Sequence, residues 1–165
     1  MKYLIVGYGS LISHNSLKET LRDKRFKLVI VKGFKRVFNL LINNGKDVLN
    51  LVKDSGSKFN GVLFEVDEDE LKKLKKREEE YNLEEVNVYD FESKKTIGRA
   101  LICVDYFIDV DKKNGLPDKR YFILCREAAY HISKKFGVFW DKSTYTSGNE
   151  QIFNWIKKHK EYDTI

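Results

Sequence analysis

Proline is almost missing from this sequence, with Pro117 the single one in 165 residues. Cysteine is scarce as well. Cys103 and Cys125 are the 2 present, too few for a disulfide framework. Each stands in an apolar run, Leu101-Ile102-Cys103-Val104 and Phe122-Ile123-Leu124-Cys125, where a free thiol packs as a small buried hydrophobe. The 3 histidines, His14, His131 and His159, are scattered and have no metal-ligand spacing with the cysteines. A metal site is therefore not expected. No apolar run approaches the roughly 18 residues of a membrane span. Met1 to Val6 lacks the charged start, long apolar stretch and cleavage site of a signal peptide, so the expectation is a cytoplasmic protein with no membrane partner. There is no proline- or serine-rich linker, no internal repeat and no low-complexity tail, which predicts a single domain over residues 1–165.

What is present is a mixture of 42% apolar and 34% charged residues with a net charge of +6. A basic balance raises nucleic acid as a partner. The distribution of the charge argues otherwise. Lys72, Lys73, Lys75, Lys76 and Arg77 run directly into Glu78, Glu79 and Glu80, and the other lysines are spread along the chain. A solvated lysine-rich surface accounts for that pattern, and no nucleic-acid partner is expected.

Hydrophobic periodicity gives the elements. Tyr3-Leu4-Ile5-Val6 reads as a buried strand that breaks into the turn Gly7-Tyr8-Gly9-Ser10. Asn15 or Ser16 can cap a short helix through Leu17, Glu19, Thr20 and Leu21. Phe26 to Val31 and Phe34 to Ile42 read as two strands punctuated by Gly33, and Asn43-Asn44-Gly45 as a hairpin turn returning into Val48 to Val52. A loop at Asp54-Ser55-Gly56-Ser57 precedes a strand over Phe59 to Val66. Asp67 with Glu70 makes a capping box for a helix with Leu71 and Leu74 on its apolar face, running out at Glu78 to Glu80. Val86 and Val88 alternate on one strand, and Ala100, Ile102 and Val104 on another after a turn at Gly98. Gly115-Leu116-Pro117-Asp118 reads as a loop ending in a cap for a helix from Tyr121 to Phe136, stopped by Gly137. A final helix is predicted over Asn149 to Lys158. Strands fill the first two thirds and helices the last, an α+β pattern rather than a repeating βαβ one.

Two motifs have the residue types that chemistry needs. Gly7-Tyr8-Gly9-Ser10-Leu11-Ile12 contains half of a dinucleotide fingerprint, but Ile12 stands at the third glycine position. No βαβ unit or strand-ending acid follows. The small residues instead let backbone N–H groups point into one space, as an anion such as a carboxylate requires, or they form an ordinary tight turn. Arg77-Glu78-Glu79-Glu80 followed by Tyr81 is either a solvated helix end or a carboxylate kept for catalysis, since negative charge at a helix C-terminus is unfavourable. Ser10 has no histidine placed near it by any motif, so it reads as a hydrogen-bonding loop residue and not a nucleophile.

Five stretches together carry a resemblance. Tyr3 to Ile12 looks like the opening strand and signature loop of the gamma-glutamylcyclotransferase-like superfamily, and Lys32-Gly33-Phe34-Lys35-Arg36-Val37-Phe38 is similar to its next strand. Asn60 to Val66, followed by Glu70-Leu71 and Leu74, resembles the strand and helix that lead to its catalytic glutamate. Leu74, Arg77, Glu78 and Tyr81, then Val86 and Val88, follow its pattern there, and Leu116-Pro117, Tyr121 and Ala128-Ala129 resemble its closing loop and helix. The distance from Glu78 to Tyr81 is one residue shorter than in the family pattern, and Glu79 stands where a glycine often occurs, which leaves Glu79 and Glu80 as alternatives to Glu78.

The resemblance implies a strongly curved mixed sheet or small β-barrel flanked by helices. It also implies cofactor-free cyclisation of a small-molecule γ-glutamyl substrate to 5-oxoproline, with release of an amine. Glu78 would be the general acid/base. Tyr8, Gly9, Ser10, Leu11 and Ile12 would bind the substrate, with Tyr81 and Tyr121 orienting it or the carboxylate. A non-catalytic binding module of the same fold is the alternative, followed by a basic nucleic-acid-binding domain.

Overall fold

The computed structural model describes residues 1–12, 26–77, 82–104 and 115–165. The helix predicted from Asn15 or Ser16 through Leu21, and the cluster Glu78-Glu79-Glu80-Tyr81, lie outside the described residues. The strands are β1 (Tyr3–Gly7), β2 (Lys27–Leu41), β3 (Asp47–Val66), β4 (Asn82–Asp90), β5 (Thr96–Val104) and β6 (Thr144–Thr146). The α-helices are α1 (Glu68–Arg77), α2 (Lys119–Ile132), α3 (Lys134–Ser143) and α4 (Ile152–Trp155).

The strands form one sheet in the order β3-β1-β5-β4-β2-β6, and a further β2–β3 pairing closes it into a ring. β1/β3, β2/β3, β2/β4 and β4/β5 are antiparallel, while β1/β5 and β2/β6 are parallel. This is the strongly curved mixed sheet flanked by helices that the family resemblance implies. β4 pairs with β2 only at Val29, Ile30 and Val31, and β6 takes the edge further along, at Arg36, Val37 and Phe38. Phe38 on β2 meets Phe122 of α2 at 5.4 Å and Trp140 of α3 at 6.2 Å between ring centroids. Those fully buried rings fasten the helices to the ring of strands.

Several boundaries differ from the expectation. The two strands expected around Gly33 are one, because Gly33 adopts φ +91° and absorbs a bulge that a residue with a Cβ would resist. The loop at Asp54–Ser57 interrupts pairing but not the strand: Lys32 pairs with Lys58 and Phe34 with Lys53, so those residues bulge out opposite Gly33 while the chain stays extended. The β4–β5 turn falls just after Asp90, whose carboxylate accepts the N–H groups of Glu92 and Ser93, and Gly98 lies inside β5 opposite Val88. The long helix expected to stop at Gly137 is two helices. Ser133 ends α2 and caps α3 by accepting the Phe136 N–H, and Gly137 lies within α3. The final helix is only the short α4, continued by 3-10 turns at Ile156–Lys158 and Lys160–Tyr162.

Local signals fared better where a side chain completes them. The Asp67/Glu70 capping box forms in both directions, with bonds of 2.8 and 3.1 Å. Asp118 caps α2 by accepting the Tyr121 N–H, and both cysteines are buried thiols outside any disulfide. No helix among the described residues is long and apolar enough to cross a membrane.

Candidate active site

At the end of β1 the chain turns through a short 3-10 helix, Ser10–Ile12, closed by the Ile12 N–H donating to the Gly9 carbonyl at 3.0 Å. That amide is committed to the turn. Leu11 and Ile12 are buried and belong to the apolar core, so their side chains anchor the loop. Tyr8 is also buried. Its hydroxyl donates to the Cys103 carbonyl at 2.7 Å, and its ring meets Phe59 edge-on at 5.9 Å. Ser10 is half-buried.

Tyr121, near the start of α2 and 109 residues beyond Ile12 in the chain (121 − 12), comes to this loop. A Cβ placed on Gly9 would lie 2.7 Å from the Tyr121 hydroxyl, so glycine is what allows the two to approach. The fold therefore brings Tyr121 against Gly9 of the Tyr8, Gly9, Ser10, Leu11, Ile12 loop, with Tyr8, Leu11 and Ile12 buried. Glu78 and Tyr81 fall outside the described residues, but their flank is informative. β4 begins at Asn82, which pairs with Val104, and Leu83 pairs with Cys103, the residue that holds the Tyr8 hydroxyl.

The residue that sequence reasoning missed is Arg36. It is fully buried, at 0% exposure, and its guanidinium makes hydrogen bonds in every direction. Nη1 donates to the Tyr8 carbonyl at 3.1 Å and the Asn60 carbonyl at 2.6 Å. Nη2 donates to Asn60 Oδ1 at 2.7 Å and Ser143 Oγ at 2.9 Å, and Nε to Thr144 Oγ1 at 2.8 Å. Those contacts use all the N–H donors an arginine has. Burial pulls the Arg36 pKa down to about 9, opposed by Cys125, Tyr121, Asp141 and Tyr8 nearby. It remains a cation at neutral pH, set directly behind the loop backbone. The sequence did hold a signal. Arg36 is in phase with Phe34 and Phe38 along β2, so it points where those apolar residues point.

A second network braces the helices. Arg126 on α2 forms a bidentate pair with Asp141 on α3, at 2.8 and 3.0 Å, and reaches Asp163 at 2.8 Å. The Tyr130 hydroxyl donates to Asp141 at 2.6 Å, and burial followed by that bond pushes its pKa up to about 12. No group of histidine, cysteine and carboxylate side chains among the described residues could hold a metal ion.

The family model described as gamma-glutamyl cyclotransferase, AIG2-like, matches residues 5–122. No individually curated protein matches significantly by sequence. Among solved structures, one described as gamma-glutamyl cyclotransferase is 16% identical and covers 96% of this chain and 99% of its own, with a TM-score of 0.71. An uncharacterized human protein is 15% identical over 84% of this chain and 86% of that one, also with a TM-score of 0.71. An AIG2-like mouse protein is 18% identical over 72% and 89%, with a TM-score of 0.50. At these identities the structural likeness concerns the fold. The family match spans the loop, its β2 support and the start of α2, and on that match the chain belongs to the gamma-glutamyl cyclotransferase, AIG2-like family.

Proposed function

We propose that this protein is a cofactor-free γ-glutamyl cyclotransferase, with Glu78 as general acid/base and the Tyr8–Ile12 loop as the substrate cradle. The observation that carries the reading is that one family match, over residues 5–122, contains both the loop and the glutamate cluster. The Tyr8–Cys103 bond and the Leu83–Cys103 pairing support it, since they bring the loop to the strand that follows Glu78-Glu79-Glu80-Tyr81.

The chemistry suits so spare a site. The substrate's own α-amine attacks its γ-carbonyl carbon, forming the ring C–N bond, and the C–N bond to the leaving amine breaks. The α-ammonium gives up one proton to become the attacking amine and a second as the ring amide forms. A single carboxylate relays one of them to the departing nitrogen, and the other goes to solvent or to the released amine, which leaves as an ammonium. The loop backbone takes the substrate's α-carboxylate or its polarised carbonyl oxygen. The Arg36 cation behind the Tyr8 carbonyl fixes the loop and lends it positive potential. Holding the flexible γ-glutamyl chain in attack geometry supplies several kcal/mol, on the order of the proximity terms of intramolecular reactions. Tyr81 and Tyr121 are assigned to orienting the carboxylate or the substrate.

The test is release of 5-oxoproline from glutathione, γ-glutamyl amino acids and γ-glutamyl-lysine, beside a Glu78→Gln variant. The expected result is release from at least one compound, lowered by at least about a hundredfold in the variant. Release that survives Glu78→Gln moves the acid/base to Glu79 or Glu80. No release from any compound refutes the activity on these substrate classes and favours a binding role.

A further inference from the structure

Away from the loop, a cleft of about 330 Å³ opens between the β3 bulge and the end of α3. Gly56 and Ser57 form its lip, and Lys58, Phe139, Lys142, Ser143 and Tyr145 its walls. None of Tyr8, Gly9, Ser10, Leu11, Ile12 or Tyr121 lines it. Its volume falls within the range of small-molecule sites, at the lower end.

The wall chemistry specifies what fits. Phe139 and Tyr145 are half-buried rings, which offer flat apolar surface to a planar group. Lys58 and Lys142 are exposed on opposite walls, from β3 and α3. The Lys58 ammonium lies 5.9 Å from the Phe139 ring, and Lys35 adds another ammonium 4.0 Å from the Tyr145 ring. The nearby Asp54 carboxylate accepts the Gly56 N–H and the Ser57 hydroxyl. Behind the floor stands Arg36, bonded to Ser143 Oγ at 2.9 Å. Lysines thus stand about the cleft, with the Lys142 ammonium 4.9 Å from the Phe153 ring and the Lys35 ammonium donating to Asn149 Oδ1, and Arg36 lies beneath.

Ser143 makes the floor a built site. It is 7% exposed, and its Oγ accepts from Arg36. Its own proton has only distant acceptors among the described residues, Asn60 Oδ1 at 3.5 Å and the Trp140 carbonyl at 3.4 Å. A well-made O–H···O bond is about 2.7–2.8 Å. An anionic oxygen entering the cleft would offer that proton a better partner.

We propose that this cleft is a second ligand site, separate from the γ-glutamyl site, for an aromatic or heteroaromatic ring bearing a carboxylate, sulfonate or phosphate. The ring lies between Phe139 and Tyr145. The anionic group meets Lys58 and Lys142 and takes the Ser143 hydroxyl proton. Because Arg36 bonds both Ser143 Oγ and the Tyr8 carbonyl, the two sites share one guanidinium.

The test uses the full chain and the fluorescent probe 8-anilinonaphthalene-1-sulfonate, followed by its emission. Saturable binding at one site is expected. A Lys58→Gln/Lys142→Gln double variant should weaken it by about tenfold or more, equivalent to about 1.4 kcal/mol, while its circular dichroism and melting temperature stay near those of the parent. Adenosine 5′-monophosphate and salicylate serve as competitors that separate phosphate from carboxylate ligands, and glutathione should displace nothing. Unsaturable dye binding, or binding unchanged in the double variant, overturns the proposal. So does displacement by glutathione, which would merge the cleft with the γ-glutamyl site. Displacement by a single-stranded oligothymidylate far more tightly than by the mononucleotide would instead make this face a polyanion surface, and would equally overturn it.

Discussion

A methyl group on Gly9 would meet the Tyr121 hydroxyl at 2.7 Å, while the next Tyr121 atom, Cζ, stands at an ordinary 3.8 Å. The strain of Gly9→Ala is therefore concentrated on one oxygen. Gly9→Ala is expected to lower stability by about 1–3 kcal/mol. Tyr121→Phe made in that background should recover part of the loss, because it removes the oxygen. Melting temperatures of the four proteins in the double-mutant cycle check this; strictly additive losses would refute the contact. Charge at single residues has its own readout. The Arg126 hydrogen bond holds the Asp163 carboxyl below its usual pKa, and the Tyr121 N–H does the same for Asp118. A carboxylate with a depressed folded pKa contributes stability that is fully present above its unfolded pKa, near 3.9, and is lost as pH falls through the folded value. Denaturation midpoints should therefore hold from neutral pH down to about pH 5 and fall below it. Asp163→Asn should make that acid limb shallower, and a limb unchanged by the variant would count against the Arg126–Asp163 pair.

Between elements, the α2–α3 junction shows how one glycine can mean two things. A Cβ on Gly137 would lie 2.3 Å from Cγ of the Tyr130 ring, an atom that cannot swing aside as the tip of a flexible chain would. Gly137 is there so that α3 can press against α2. Alanine is the better helix former by about 1 kcal/mol, yet Gly137→Ala is expected to destabilise by about 2 kcal/mol or more, since overpacking outweighs propensity. Urea denaturation would detect it, and a gain in stability would refute the packing role. The same residue explains why the sequence misleads here. A glycine at the end of an apolar helical pattern ordinarily marks a C-terminus, and the true break at Ser133 carries only a capping serine. The local signals that could be read, the Asp67/Glu70 box and the Asp118 cap, are completed within a few residues. What could not be read depends on partners far along the chain. The merging of strands across Gly33 depends on pairing with β3, and the burial of Arg36 on acceptors at Tyr8, Asn60, Ser143 and Thr144. The loop and Tyr121 were legible as motif pieces, while their meeting at Gly9 was not.

For the whole molecule, ring closure and helix docking converge on the same few groups. β3 pairs with both β1 and β2 to close the sheet, and Asn60 on β3 takes Arg36 while its amide donates to the Phe136 carbonyl at 2.9 Å. The Arg126–Asp141–Tyr130 network fixes α3 to α2 on the outside of that arrangement. Sheet, loop and helices are thus connected through polar bridges set inside an apolar core.

The Arg36 cage also orders events in time. Its acceptors come from residue 8 at one extreme and residue 144 at the other, so no early fragment can satisfy the guanidinium. During synthesis the strand carrying Arg36 emerges long before Ser143 and Thr144 exist. Until they arrive, a charge that ends up dry lacks two of its five bonds, and taking it out of water is correspondingly costly. The support of the Tyr8 loop is consequently completed by residues near the other end of the described fold, although the loop is encoded among the first.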